Sequence, residues 1–242
     1  MIKSLGTFVL LFLLGTMSCK KNKLNTVTEI MESNQIAAND LRPVIILDAG
    51  HGGLDPGATH YLYKIFEKNI TRQIVDATIE LIDTTKYKVI ETRPQDNNIH
   101  RRNRIAIAEK ARAHILISIH VNAVNDTVTN GFEILYSDST LYKFDTLTSD
   151  TISIASPYKY ESASFAEILS KETSKRVPLK KRKIICSKPN LGIIWAGHFP
   201  SILFEVGFIN STTDLKVINT PHGQSKLAQA IVHSISLFCP VE

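Results

Sequence analysis

Residues 44–53 read VIILDAGHGG, in which four apolar residues run into an acid and a histidine follows between glycines. A short continuous apolar run is typical of a strand that is buried on both faces of a parallel sheet. Because glycine has no side chain, the backbone after this strand can turn sharply and another molecule can approach it closely. The stretch therefore predicts a buried strand that presents His51 at its carboxyl end.

Downstream, strands and amphipathic helices alternate. In residues 67–83 the apolar side chains between Ile70 and Ile82 share one face at helical spacing, which predicts a helix. The same criteria predict further helices at 101–113, 162–175 and 225–238, and strands at 44–47, 87–93, 114–120, 131–137 and 201–208. This order favours an α/β fold, a single domain with a mostly parallel central sheet flanked by helices on both faces.

Two local features accompany this pattern. Ser162 or Ser164 is a candidate N-cap for the third helix, because a serine hydroxyl can accept a hydrogen bond from a free backbone N–H there. Residues 137–160 are rich in Ser, Asp, Thr and Tyr and show no clean period. The role of that segment is therefore left open.

The N-terminus has the character of an export signal. One lysine precedes an apolar run at Phe8–Leu14, and small or polar residues lead to Cys19. The run is shorter than the roughly 20 residues that span a membrane, and the pattern is typical of a secretory signal. Cys19 after Ser18 resembles a bacterial lipoprotein signal, although Thr16 stands where an aliphatic residue is usual.

We therefore expect a signal peptide at 1–18, a tether at 19–42 and the catalytic domain at 43–239. The expected protein is exported to the cell envelope or periplasm and anchored in a membrane by a lipid on Cys19. An uncleaved membrane anchor is the alternative, and it leaves the domain on the same side of the membrane.

Charge and cysteines restrict the partners. The formal net charge is +5, and much of the excess lies in residues 171–183, KETSKRVPLKKRK. Without interleaved aromatic residues this run does not favour nucleic acid; it indicates either a solvated helix end and loop or attraction to anionic envelope polymers or lipid headgroups. Export permits a disulfide between Cys186 and Cys239, but two free thiols fit equally, and no CxxC spacing is present.

Three of the predicted strands end at polar side chains, namely His51, His120 and Glu205, and Glu67 begins the first helix. Carboxyl ends of parallel strands meet at one edge of a sheet, where ligands gather. Two imidazoles and a carboxylate can hold a catalytic zinc ion with an open position for water, and a second carboxylate can move that water's proton. The alternative is that each histidine is a hydrogen-bonded structural residue.

The blocks ILDAGHGGLDPGA, EKN, SIHVNA and FEVGFIN, in this order, resemble the signatures of the zinc-dependent N-acetylmuramoyl-L-alanine amidases, the AmiC-like family also called amidase 3. The resemblance extends over about residues 43–239. It implies that His51, Glu67 and His120 bind Zn2+ and that Glu205 is the catalytic residue. The implied reaction is hydrolysis of the amide between the lactyl group of N-acetylmuramic acid and L-alanine in peptidoglycan.

The resemblance leaves several points open. In cell-separating members of the family an inserted helix blocks the zinc until an activator moves it; residues 137–160 lack a strong helical pattern, so we expect open access without an activator. Asn122 either contacts substrate or caps a strand end, and His198 either faces the cleft or lies on the surface. Arg93 and Arg104 pair with acids of the protein or with carboxylates of the peptide.

Two rival functions share parts of this pattern. One is a non-catalytic lipoprotein that binds the cell wall, and the other is a zinc peptidase that acts on stem peptides. The expected partners are peptidoglycan and, through the lipid on Cys19, a membrane; nucleic acid is not expected.

Overall fold

The computed structural model describes residues 40–137, 139–144, 151–155, 157–187, 192–194 and 197–241. The expected signal peptide, most of the tether and Cys19 lie outside the described residues. Residues Arg42–Glu242 belong to one compact unit. Its elements are β1 (Val44–Ala49), β2 (Thr59–His60), β3 (Ile65–Phe66), α1 (Glu67–Leu81), β4 (Lys88–Glu91), α2 (Arg101–Lys110), β5 (Ile115–Asn122), β6 (Phe132–Ser137), β7 (Ser139–Phe144), β8 (Thr151–Ala155), α3 (Lys159–Arg176), β9 (Lys181–Ser187), β10 (Ser201–Phe208), α4 (Thr212–Ile218) and α5 (Pro221–Phe238).

The core of the fold is a six-stranded sheet in the order β4-β1-β5-β10-β6-β9. The first four strands of this order run parallel to one another. Strand β6 is antiparallel to β10, and β9 is parallel to β6. The sheet is therefore mostly parallel, as the alternating sequence pattern predicted, with an oppositely directed pair at one side.

Both faces of the sheet are covered, because alternate residues of its central strands enter two different cores. Ile45 and Leu47 of β1 pack in a core with residues of α1, α3 and α5. Val44 and Ile46 pack in a second core, which includes Ile105 of α2. Burial on both faces explains why β1 reads as a continuous apolar run.

Some predictions need correction. Neither Ser162 nor Ser164 caps α3: the N-cap residue is Tyr158, and the buried hydroxyl of Ser162 accepts the N–H of Ser201. The segment 137–160 contains the two strands β7 and β8, which pair as an antiparallel two-stranded sheet. The basic run 171–183 does not end in a loop alone, since its last residues form β9.

Two further findings concern the cysteines and the helices. Cys186 is exposed and Cys239 is half-buried, and the permitted disulfide between them is not formed. Within the described ranges, no helix combines the length and the apolar character that crossing a membrane requires.

Candidate active site

The strand ends bring His51, Glu67 and His120 together. His51 follows β1 in a left-handed backbone conformation (φ 62°), His120 lies near the end of the neighbouring β5, and Glu67 is the first residue of α1. Gly50 lets the first two approach, because a Cβ at this position would lie 2.5 Å from the His120 ring. Gly57 does the same for Glu67, since a Cβ there would lie 2.5 Å from its Oε2.

The three side chains converge through the Glu67 carboxylate. Its Oε2 lies 3.1 Å from His51 Nε2, and its Oε1 lies 2.9 Å from His120 Nδ1. One ligand atom from each side chain falls within 4.8 Å of the other two. The imidazoles stand edge to face, with ring centroids 5.0 Å apart. Two imidazole nitrogens and a carboxylate in this arrangement can hold a metal ion.

Hydrogen bonds and charge hold the three side chains together. Burial alone would raise the pKa of Glu67, but hydrogen bonds to His120 and His51 hold that pKa far below its usual range. Burial alone would lower the pKa of His51, but the bond to Glu67 and the nearby Asp55 raise it to about 9. The pKa of His120 is likewise raised by Glu67 against the effect of burial. The shifts favour a charge pair between the Glu67 carboxylate and an imidazolium.

Further contacts orient the candidate ligands. His51 Nδ1 lies 2.8 Å from Asp55 Oδ2, which leaves Nε2 facing Glu67. Backbone N–H groups of Ala58 and Val121 donate to the two oxygens of Glu67, at 2.7 and 2.9 Å. Such outer partners fix the orientation of metal ligands. Sequence reasoning missed Asp55, although it stands inside the quoted block, four residues after His51.

Glu205 lies on β10 directly beside His120 of β5, and its other neighbour in register is Glu133 of β6. Its Oε2 is buried and has no hydrogen-bond partner among the described residues. Burial raises the pKa of Glu205 to about 7; the charge of His120 opposes this rise, and the neighbouring carboxylates of Glu67 and Glu133 add to it. A carboxyl group with such a pKa can both accept and release a proton near neutral pH.

Beneath the site, buried Asp48 ties its elements to one another. Its carboxylate accepts hydrogen bonds from Ser118 of β5 and from Thr92, and it pairs with Arg104 of α2 at 2.8 Å. Arg104 also donates to the backbone oxygen of His51, at 2.6 Å. Of the two roles left open for Arg104, the structure thus supports pairing with an acid of the protein.

The other candidate residues lie in structural contacts. Asn122 donates to Glu133 Oε2 at 3.2 Å and accepts from the Ala123 N–H at 2.8 Å, and its contact with substrate stays a prediction. His198 is exposed and lies 3.1 Å from Glu109 Oε1. Buried Arg93 donates to several backbone oxygens, including that of Lys68.

A cleft of about 460 Å3 opens beside the two histidines. Its walls include Asn98–Arg101, which lead into α2, and the facing Gly192 and Ile193. The volume lies in the range of small-molecule and peptide sites. The metal-ligand group is therefore accessible from a cavity that can hold part of a substrate.

Fold and site together define a class, the α/β proteins with a group of candidate metal ligands facing a cleft at the carboxyl edge of a parallel sheet. The family model described as N-acetylmuramoyl-L-alanine amidase (amidase 3) matches residues 45–236. The chain therefore belongs to this amidase family, whose members are enzymes acting on peptidoglycan, as the four sequence blocks indicated.

Individual relatives agree with this membership. A protein of Buchnera aphidicola subsp. Baizongia pistaciae described as a putative N-acetylmuramoyl-L-alanine amidase is 30% identical over 203 residues, covering 78% of this chain and 92% of the relative. The amidase AmiC of Escherichia coli is 27% identical, over 84% of this chain and 54% of AmiC. The CwlD amidase from Clostridioides difficile was solved in complex with the GerS lipoprotein. It superimposes on this chain with a TM-score of 0.70 at 25% identity, and the match covers 83% of this chain and 100% of the CwlD chain.

Proposed function

We propose that this protein is a zinc-dependent amidase that hydrolyses the bond between N-acetylmuramic acid and L-alanine in peptidoglycan. The observation that carries the proposal is the Glu67 carboxylate held between the imidazoles of His51 and His120, with the protonatable Glu205 in the neighbouring strand position. Family membership supplies the reaction class.

The residues present fit a zinc ion. The donor set of two imidazoles and one carboxylate is one that catalytic zinc uses with water in the remaining position. Without a cation, the buried carboxylate is balanced only by imidazolium protons, which a metal ion would displace. When bound, zinc would polarise the scissile carbonyl and lower the pKa of water.

The chain's own residues would then carry the proton. Glu205 is placed to accept a proton from the attacking water and to donate it to the departing amine of alanine, because its pKa lies near 7. Asp55 would keep His51 in the tautomer whose Nε2 faces the metal. The low exposure of Glu67 would limit competing water.

The location of the protein is part of the proposal. The N-terminal sequence supports export to the cell envelope or periplasm, with a lipid on Cys19 as the membrane anchor. Relatives include a probable cell wall amidase, LytH, of Staphylococcus epidermidis, a name that agrees with action outside the cytoplasm.

The test is digestion of purified peptidoglycan by the zinc-loaded protein, followed by mass spectrometry of the soluble products. Free stem peptides beginning with alanine, together with glycan bearing free lactyl carboxyls, are expected. Glu205→Gln should retain zinc but lose at least about 100-fold in rate, as expected for loss of a general acid–base group. His51→Ala should lose both zinc and activity.

Glu167→Gln, an exposed position on α3, is the matched control and should behave as the wild type. Shortened stem peptides still attached to glycan would identify a peptidase. Wall binding without any product would identify a binding protein. Either result would overturn the proposal, as would normal turnover by Glu205→Gln.

A further inference from the structure

The cleft beside the candidate metal ligands is lined by two arginines, Arg101 and Arg104. Arg104 is buried, and its guanidinium is fully engaged with Asp48 and with backbone oxygens, including those of Ala49 and Ile99. Arg101 is exposed, and no hydrogen bond or ion pair joins it to any residue in the described part of the chain. Arg101 is therefore the arginine of the cleft that is available to a ligand.

Helix stability does not explain this side chain. Arg101 is the first residue of α2, where a positive charge is unfavourable because the helix dipole is positive at that end. The residues three and four positions further on are Arg104 and Ile105, so no acid of the same helix can pair with it.

The opposite wall of the cleft is shaped to accommodate Arg101. A Cβ built on Gly192 would lie 3.0 Å from its Cδ and 3.1 Å from its Nε. The side chain thus lies against bare backbone at the cleft wall, which restricts its freedom. A guanidinium held in this way can form two parallel hydrogen bonds to a carboxylate, a geometry that lysine cannot reproduce.

We propose that Arg101 is a specificity-determining residue that binds a free carboxylate of the stem peptide. The inference rests on the proposed amidase function. In the substrate, the lactyl carboxyl of muramic acid is consumed in the scissile amide and the neighbouring sugar hydroxyls are neutral. The negative charges available to Arg101 therefore lie beyond the alanine, and the nearest is the α-carboxylate of the residue that follows it, wherever that carboxylate is not itself consumed in a peptide bond.

The experiment compares two muramoyl peptides that differ at one group. One carries a free α-carboxylate on the residue after alanine, and in the other this carboxylate is amidated. The zinc-loaded wild type should cleave the free acid with a kcat/KM about 10- to 100-fold higher, the range expected for a hydrogen-bonded charge pair. In Arg101→Gln the ratio between the two substrates should fall to about one.

Arg102→Gln is the matched control, because Arg102 is the exposed neighbour on α2 and does not line the cleft. It should retain the wild-type ratio. The ratio is measured within each variant, so differences in folded fraction cancel. Calorimetry of the binding of both peptides to Glu205→Gln compares their affinities in the same way, without turnover.

The outcomes separate the two proposals. Equal cleavage and equal binding of both peptides by the wild type would overturn the role of Arg101 and leave the amidase function standing. An unchanged preference in Arg101→Gln would do the same. A preference seen in binding but without any cleavage of the amide would support the Arg101 site and overturn the amidase function.

Discussion

At the scale of single residues, the site depends on contacts that hold each candidate ligand in one orientation. Asp55 is the residue bonded to the far nitrogen of His51, at 2.8 Å. It is partly exposed and adds little to the core, so its effect on metal binding can be measured apart from folding. The effect of site protonation on metal binding can likewise be measured apart from folding.

We expect Asp55→Asn to weaken zinc binding by about 10- to 100-fold. The amide of asparagine carries no negative charge, and it therefore fixes the tautomer of His51 less firmly than the carboxylate does. Competition with a chelating dye measures the change. Glu80→Gln, an exposed position on α1, is the control for the loss of one acid. Equal affinities of Asp55→Asn and the wild type would show that Asp55 does not orient the ligand.

Zinc affinity should also depend on pH. The pKa of His51 is raised to about 9 in the metal-free protein, so below that pH a proton must leave before the imidazole can bind zinc. Apparent affinity should therefore rise by about tenfold or more per pH unit between pH 6.5 and 8.5. Dye competition across this range is the measurement, and an affinity that does not change with pH would contradict a protonated His51 in this range.

At the scale of elements, short-range connections fix how strand and helix ends meet at the site. Asp214 of α4 is buried and accepts the N–H of Phe208 at the end of β10 and the N–H of Gly131 before β6. Ser211 caps the same helix by accepting the Asp214 N–H. This joint positions the end of the strand that carries Glu205.

Replacing Asp214 by alanine should leave two buried N–H groups without an acceptor, at a cost of about 2–4 kcal/mol in the free energy of unfolding. Urea denaturation measures this loss. Thr213→Ala, on the exposed side of α4, should change stability by less than about 0.5 kcal/mol. A stable Asp214→Ala protein would mean that water replaces the carboxylate.

Which elements the sequence could predict follows from their burial. The apolar runs of β1, β5 and β10 are visible because both faces of these strands are covered. Strand β9 was missed because, as an edge strand, it alternates exposed lysines with half-buried residues. Helix α4 was missed because Thr212–Ile218 spans only 7 residues, too few to display a helical period.

Some residues of the site could be predicted from the sequence and others could not. Side chains at strand ends could be predicted from the chain order, since parallel neighbours carry their carboxyl ends to one edge. The role of Ser162 could not, because its partner Ser201 lies 39 residues away in the sequence. Nor could that of Glu133, which stands beside Glu205 only because β6 joins the sheet antiparallel to β10.

At the scale of the whole molecule, the buried pair of Asp48 and Arg104 links the sheet to α2 and to the His51 loop. Burial alone would raise the pKa of Asp48, but Arg104 and the hydroxyls of Ser118 and Thr92 lower it. The folded-state pKa is thus below the unfolded value. The stabilisation is complete above about pH 4 and is lost as the pH falls through the folded-state value.

We expect Arg104→Met to lose about 3–5 kcal/mol of unfolding free energy at pH 7, because Asp48 then stays buried without a partner. The difference from the wild type should narrow toward pH 3, where the unpaired carboxyl is protonated. Urea unfolding at both pH values tests this, with Arg102→Met as the control on the exposed side of α2. If Arg104→Met lost the same unfolding free energy at pH 7 and at pH 3, the charge of Asp48 would be excluded as the cause.

The position of β9 at the sheet margin has a consequence for colloidal behaviour. Within the described ranges it is paired on one side only, by β6, and an open strand margin can recruit a second molecule into an extended ribbon. The exposed ammonium groups of Lys181 and Lys183 would face their own copies in such a ribbon and repel them. These two lysines would therefore keep molecules of the protein apart at high concentration, a role that requires no anionic partner. Neutralising both lysines should promote self-association at high concentration.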